Sequence, residues 1–313
     1  FVISGFLITS LLLKEEKETN TVSLRRFYFR RTLRIFPAYY FLLAVYFGLQ
    51  LMGVLAMSAS SWVAALTYTK NIYMEDWYTT HIWSLSLEEQ FYLVWPLIFL
   101  YAKTYRKAVA WTIVAVVPLL RIADYLYPSL SLGNTSNLQR VDVPVWGCLF
   151  ALYQQQVLGA IKGVLAKHRR LVLLPFFVLG GSHYFTQLNM HFGLKLGFAI
   201  VSLGGENGTI ISISIGLILL FSAFYQGTAW QRFLDMPLLR YFGRLSYSIY
   251  LWQQIFIGTD YTLSVPPLNL LCIFAMANLS YYGIEKPLMR LRESWEKIPA
   301  VRRRLALLPL IKN

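Results

Sequence analysis

The sequence predicts an all-α protein, a polytopic transmembrane helix bundle with about nine spans present of an expected ten. Three observations carry that prediction. Of 313 residues, 57% are hydrophobic and only 14% are charged, against about 25% charged in an ordinary soluble domain. The uncharged residues come in long blocks, 35–69, 143–161, 171–194, 209–231 and 261–284, each close to or above the ~20 apolar residues that a span requires. The remaining charge, a formal net +14, is sorted along the chain rather than scattered. A disordered chain needs the opposite composition. A soluble globule of this size would lack the charges to cover its surface. The ~10-residue alternating units of a membrane β-barrel are missing.

The spans fall in order at 1–13, 36–56, 82–102, 108–121, 142–158, 171–187, 207–226, 245–258 and 267–284. The first stops at the charged run Lys14-Glu15-Glu16-Lys17. The second follows an arginine-rich segment and accommodates Pro37 at its start, where a missing N–H matters little. The loops between spans test the order. Alternate loops and the C-terminal tail hold 25 of the 29 Lys and Arg; the other set holds only Lys70, Arg121, Arg140 and Lys195. By the positive-inside rule the basic set is cytoplasmic. Phe1 then lies outside, so a tenth span is expected before it. The Gly-rich stretch Leu203–Gly208 breaks a helix, and 188–206 reads as an interfacial or re-entrant piece. Basic residues that flank spans orient them and meet anionic headgroups, so nucleic acid is not an expected partner. Cys148 and Cys272 sit in apolar segments and read as packing residues.

Five motifs carry chemistry. In the first, Arg26, Arg30 and Arg34 recur at helical spacing with Arg31 adjacent. An amphipathic interfacial helix and a phosphate clamp of bidentate arginines fit this row about equally. In the second, Ser84, Glu88, Tyr92 and Trp95 share one helical face of 82–102. A Glu there is costly in lipid and must face the bundle or a water-filled cavity, as a proton acceptor, a hydrogen-bond anchor or a structural partner of an Arg. The third places Arg140 and Asp142 before Pro144, each able to pair with another helix. The fourth is a polar stripe, Ser246, Tyr250 and Gln253, on an otherwise apolar helix. In the fifth, Ser280–Arg290, Glu285 reads as a structural lock to a cytoplasmic arginine. His81 precedes the second motif and reads as an exposed loop residue. No metal-ligand spacing, phosphate loop or nucleophile elbow occurs.

With these motifs in order, the chain resembles the acyltransferase-3 family of bacterial integral membrane O-acyltransferases, the lipopolysaccharide and peptidoglycan O-acetylases among them. The resemblance rests on Phe1-Val-Ile-Ser-Gly-Phe-Leu-Ile, Phe27-Tyr-Phe-Arg-Arg-Thr-Leu-Arg-Ile-Phe-Pro-Ala-Tyr-Tyr40, Trp83-Ser-Leu-Ser-Leu-Glu-Glu-Gln-Phe-Tyr92, Arg140-Val-Asp142, Ser246-Tyr-Ser-Ile-Tyr-Leu-Trp252 and Ser280-Tyr-Tyr-Gly-Ile-Glu-Lys-Pro287. It implies a membrane acyltransferase domain over 1–290 lacking its first helix, followed by a basic cytoplasmic tail, 291–313. It implies an enzyme of the bacterial inner membrane that moves an acyl group, commonly acetyl, from acyl-CoA to a hydroxyl of a cell-surface glycan or glycolipid. No cofactor is held permanently; acyl-CoA is a donor substrate. By resemblance, Arg31 and Arg34 match the cytoplasmic Arg-x-x-Arg motif, with Arg30 beside them for donor binding. Ser4 and Gly5 match the Ser-Gly motif, and Glu88 matches the buried Glu, a catalytic support or proton relay. Ser84, Tyr92, Arg140, Asp142, Ser246, Tyr250 and Gln253 complete the expected cavity. The family's catalytic His is expected before Phe1, and Gln253 stands where members often carry another His. A secondary transporter or a flippase of glycan-linked substrate is the alternative, since buried charges and a broken helix serve those too.

Overall fold

The computed structural model describes residues 1–73, 76–127, 140–167, 171, 173–192, 208–224, 227–257 and 265–297. The expected re-entrant piece falls largely, and the tail beyond 297 wholly, outside them. Among the described residues the chain is helical with no strand. The helices are α1 (Val2–Thr19), α2 (Leu24–Leu51), α3 (Ala59–Leu66), α4 (Trp77–Thr80), α5 (Trp83–Tyr101), α6 (Arg106–Leu126), α7 (Asp142–Leu152) and α8 (Gln154–Lys167). There follow α9 (Leu174–Phe192), α10 (Thr209–Phe224), α11 (Ala229–Leu234), α12 (Pro237–Phe256), α13 (Leu268–Ser280), a π-helical turn (Tyr281–Glu285) and α14 (Lys286–Lys297).

Local chemistry sets several boundaries. Asn20 ends α1 in the left-handed region, at φ 59°, a conformation Asn tolerates better than most residues. Ser23 caps α2 by accepting from the Arg26 amide at 3.3 Å; Ser58 does the same for α3 through Ser61. Such caps contribute ~1 kcal/mol each. Pro237 opens α12, where its missing N–H costs nothing. Pro37 lies inside α2 rather than at the start of a span. The arginine segment and the apolar segment are therefore one continuous helix. Helices in apolar surroundings tolerate an internal proline; Pro37 frees the Leu33 carbonyl, and separately the Tyr247 hydroxyl donates to the Ile35 carbonyl at 2.9 Å.

Among the described residues α2 is the one helix long and apolar enough to cross a membrane by length and composition. The expected span 142–158 is divided at Tyr153, leaving α7 with 11 residues and α8 with 14. Composition alone hid this break, because the uncharged run continues through it.

The chain forms two compact units. The first comprises Phe1–Val22 and Leu87–Arg232. Here α7 packs on α1, α6 and α10, and α10 packs on α9. Phe6, Phe150, Ala151, Leu158 and Leu220 form a core cluster. The crossing of α1 on α7 is unusually close. A Cβ built on Gly5 would stand 1.8 Å from the Pro144 carbonyl oxygen, and one on Gly147 would stand 2.0 Å from the Val2 carbonyl oxygen. Small residues at such crossings let backbones approach. Gly5 of the Ser-Gly motif is thus a packing requirement.

The second unit comprises Ser23–Ser86 and Phe233–Asn313. In it α12 packs on α13, α2 and α4, while α14 and the π-turn pack on α2. Lys70 is fully buried here, paired with Asp76 and donating to Ser61 Oγ at 3.3 Å. Asp76 also caps α4 through the Thr79 amide at 2.8 Å. Burial alone would raise the Asp76 pKa, but hydrogen bonds from Lys70, Thr79 and Ser61 hold it below the ordinary carboxylate value. A lowered folded-state pKa means that its stabilisation is present at neutral pH and is lost as acid protonates it, below about pH 4. Lys70→Met strands a buried carboxylate and is expected to destabilise by ~3–5 kcal/mol. In thermal melts its deficit at pH 7 should shrink on acidification below pH 4; a melting temperature equal to wild type at pH 7 would contradict this.

Candidate active site

Helix α5 carries the second motif on one face, and residues from Leu87 onward belong to the first unit. There Glu88 accepts two hydroxyl hydrogen bonds, from Ser4 at 3.0 Å and from Tyr92 at 2.9 Å. One turn further, the Trp95 indole N–H donates to Thr9 Oγ1 at 2.8 Å. Ser4 and Thr9 lie on α1, so the Glu88–Trp95 part of the predicted face meets α1. Tyr92, Trp95 and Thr9 are buried, whereas Glu88 is only half-buried. A carboxylate held by two hydroxyls and reachable from outside its cluster can anchor a third hydroxyl or take its proton.

Asp142, fully buried at the first turn of α7, pairs with Arg121 of α6. A carboxylate there also suits the helix dipole. The structural ion-pair reading therefore has, for Asp142, a specific partner on another helix, Arg121. Arg140 stands half-buried in the turn before α7. Replacing one member of a buried pair strands the other charge, at ~3–5 kcal/mol. Arg121→Met should lower the melting temperature sharply, and Arg121→Met with Asp142→Leu should recover much of the loss. A double variant no better than the single one would argue against the pair.

At the far end of α1, Glu16 accepts from Arg106 at 2.9 Å and lies 3.0 Å from Lys103. Burial favours its neutral form, but these two cations hold its pKa below the usual value. Two of the basic residues that read as topology signals thus also fasten the α5–α6 connection to α1.

In the second unit the arginine row runs along α2, with Arg30 and Arg34 exposed and Arg31 half-buried. Arg34 lies within electrostatic reach of Glu285, but the direct side-chain partners of Glu285 are hydroxyls rather than the arginine expected from the sequence. The π-turn, a feature frequent at functional sites, presents Glu285 to the Ser248 hydroxyl and to Ser280 at 3.5 Å. Ser248 lies on α12 but off the stripe read from the sequence. Within that stripe, Ser246 is exposed and bonds the Gly243 carbonyl of its own helix. Gln253 is half-buried, and it is the neighbouring Gln254 that donates to the Trp77 carbonyl at 2.9 Å. Tyr250 reaches Ser84 Oγ at 2.9 Å and donates to the His81 carbonyl. His81 is half-buried, its ring 5.2 Å from that of Tyr250, and is not the exposed loop residue its position suggests. Of the missed residues, His81 and Ser248 meet partners far along the chain, Tyr250 and Glu285, whereas Lys70 is buried against Ser61 and Asp76, nine and six residues away.

Comparison with known proteins gives the same family as the resemblance read from the sequence. Residues 1–280 match the acyltransferase domain family. The chain is similar to the O-acetyltransferase OatA of Staphylococcus aureus strains NCTC 8325 / PS 47, COL and MRSA252, at 27% identity over 328 residues. Each alignment covers 93% of this chain and 51% of the relative, so the chain spans about half the length of these curated relatives. No solved structure matches it. The Ser4–Glu88–Tyr92 cluster and the α2 arginines fall inside the matched region, and the chain belongs to the acyltransferase domain family, an enzyme family of acyl transfer.

Proposed function

We propose that the chain belongs to the membrane-embedded domain of an O-acyltransferase. It moves an acyl group, acetyl in the simplest case, from acyl-CoA at the cytoplasmic face to a hydroxyl of a glycan or glycolipid on the other side. The observation that carries this reading is the Glu88 carboxylate, held by the Ser4 and Tyr92 hydroxyls on otherwise apolar helices. A charge kept in such surroundings calls for a use. In the reaction the thioester C–S bond breaks, an ester C–O bond forms, and the acceptor's hydroxyl proton ends on the CoA thiolate by way of a base. Glu88 orients the hydroxyls or carries that proton, and the exposed guanidiniums of Arg30 and Arg34, with Arg31 between them, receive the donor's phosphates.

A multi-pass arrangement, with the C-terminus in the cytoplasm of a bacterial inner-membrane protein, fits the charge sorting. It also fits the exposed aliphatic stripe Ile3, Leu7 and Leu11 on α1, since a row of that kind suits lipid better than water. Membranes carrying the native full-length protein and labelled acetyl-CoA should place label on glycan in alkali-labile ester linkage. Uptake of unmodified substrate without such label would instead indicate a transporter, a reading that family membership does not favour.

A further inference from the structure

His81 ends α4 and leads into α5. Both of its ring nitrogens are shielded from solvent; the Leu251 backbone stands at the margin of hydrogen-bond reach of one, and the other completes no hydrogen bond among the described residues. A buried polar atom without a partner costs ~1–3 kcal/mol, so its persistence calls for an explanation. Burial pushes the imidazole pKa down to about 4, against weaker opposing pulls from the Leu251 backbone and the Asp76 charge. At neutral pH the ring is therefore uncharged, with one N–H donor and one bare acceptor nitrogen. The Leu251 carbonyl is a natural neighbour for the donor. The bare nitrogen needs a ligand that brings a proton, which means a hydroxyl or an N–H.

The surroundings narrow the choice. Tyr250 donates to the His81 carbonyl, and Ser84 lies 2.9 Å from the Tyr250 hydroxyl. Among the described residues Asp76 is the one charged group credited with a pull on the ring, and Lys70 already neutralises it. The cluster is thus uncharged, hydroxyl-rich and aromatic, which suits a sugar hydroxyl and its C–H face better than a phosphate. Its edge is fastened lightly. The Trp77 indole N–H donates to the Ile257 carbonyl at 3.1 Å, and Gln254 donates to the Trp77 carbonyl, both in exposed positions. Water competes readily for bonds of that kind, so this edge is where the cluster can open. The loop carrying Lys70 and Asp76 lies on the face that the charge sorting places outside the cell.

We propose that His81, with Ser84 and Tyr250, is an acceptor-binding subsite in which the imidazole nitrogen receives a hydrogen bond from a hydroxyl of the glycan. The inference rests on the acyl-transfer reading and adds where the acceptor is held. In proteoliposomes with the full-length protein, acetyl-CoA and an N-acetylglucosamine tetrasaccharide as the acceptor probe, His81→Leu should raise the acceptor KM at least tenfold. The acetyl-CoA KM should change less than twofold. His81→Gln, whose amide oxygen can accept the same bond, should restore most of the acceptor KM. If His81→Leu does not fold, His81→Asn, too short to reach, takes its place. An unchanged acceptor KM, or equal losses in both KM values for the Leu and Gln variants, would overturn the subsite. If wild type transfers no label, the acyl-transfer reading falls. The subsite is then judged by the tetrasaccharide's thermal shift, which must vanish in His81→Leu; an equal shift in both proteins overturns it.

Discussion

Glu88→Gln in the native full-length protein is expected to lower acyl transfer at least about a hundredfold, the lower end of what a positioned proton-transfer group contributes. The amide is nearly isosteric, but it offers one acceptor oxygen and one NH2 where Ser4 and Tyr92 both donate. One of those hydroxyls must therefore switch from donor to acceptor, rotating its proton away from the amide. The remaining bond also loses the carboxylate charge, which makes such bonds roughly twice as strong as neutral ones. The stability cost is ~1.5–3 kcal/mol at most. Purified variant and wild type should melt within several degrees of each other while turnover collapses. Retained turnover would remove Glu88 from the chemistry; a large fall in melting temperature with proportional loss of activity would reduce it to an architectural residue. Ser4→Ala removes one donor and leaves the charge, so its loss should be smaller than that of Glu88→Gln.

The second large effect is at the α1–α7 crossing. Gly5→Val and Gly147→Val each place side-chain carbon inside the van der Waals radius of a backbone carbonyl, at distances that would be 1.8 and 2.0 Å for Cβ alone. No rotamer relieves a clash that begins at Cβ with backbone. The helices must separate, and the neighbouring Phe6–Phe150–Leu220 core loses contact. Overpacking costs ~1–3 kcal/mol even where side chains can shift, so more than ~3 kcal/mol is expected here. The protein should express poorly or melt well below wild type. Gly159 on α8 is the control, since a Cβ there meets nothing within 4 Å. Gly159→Ala should be neutral or stabilise by about 0.4–1 kcal/mol through the unfolded chain. Equal melting temperatures for Gly5→Val and Gly159→Ala would contradict the close crossing.

These contrasts show what sequence alone reveals about such a chain. Helical class followed from composition and uncharged runs. The Glu88 face followed from a spacing of four residues, because a helix converts sequence spacing directly into a side-chain stripe. The partners on the other side of each contact did not follow. Ser4 meets Glu88 across 84 residues and Tyr250 meets Ser84 across 166, and such pairings depend on tertiary packing. Gly5 looked like part of a chemical motif, and only the backbone of α7 beside it explains why no side chain fits. Lys70 looked like a lone outer charge until Asp76 and the hydroxyl of Ser61 were seen around it. The break at Tyr153 was invisible because apolar composition is indifferent to whether a helix continues.

The central step of the proposed function is transfer across the membrane, from a donor on one side to a hydroxyl on the other. Proteoliposomes with uniformly oriented full-length protein, labelled acetyl-CoA on the cytoplasmic-facing side and the tetrasaccharide on either side test it most directly. Ester-linked label should accumulate only when acceptor and donor are on opposite sides. Label on the acceptor only when both share one side, or free acetyl-CoA crossing without ester formation, would contradict it.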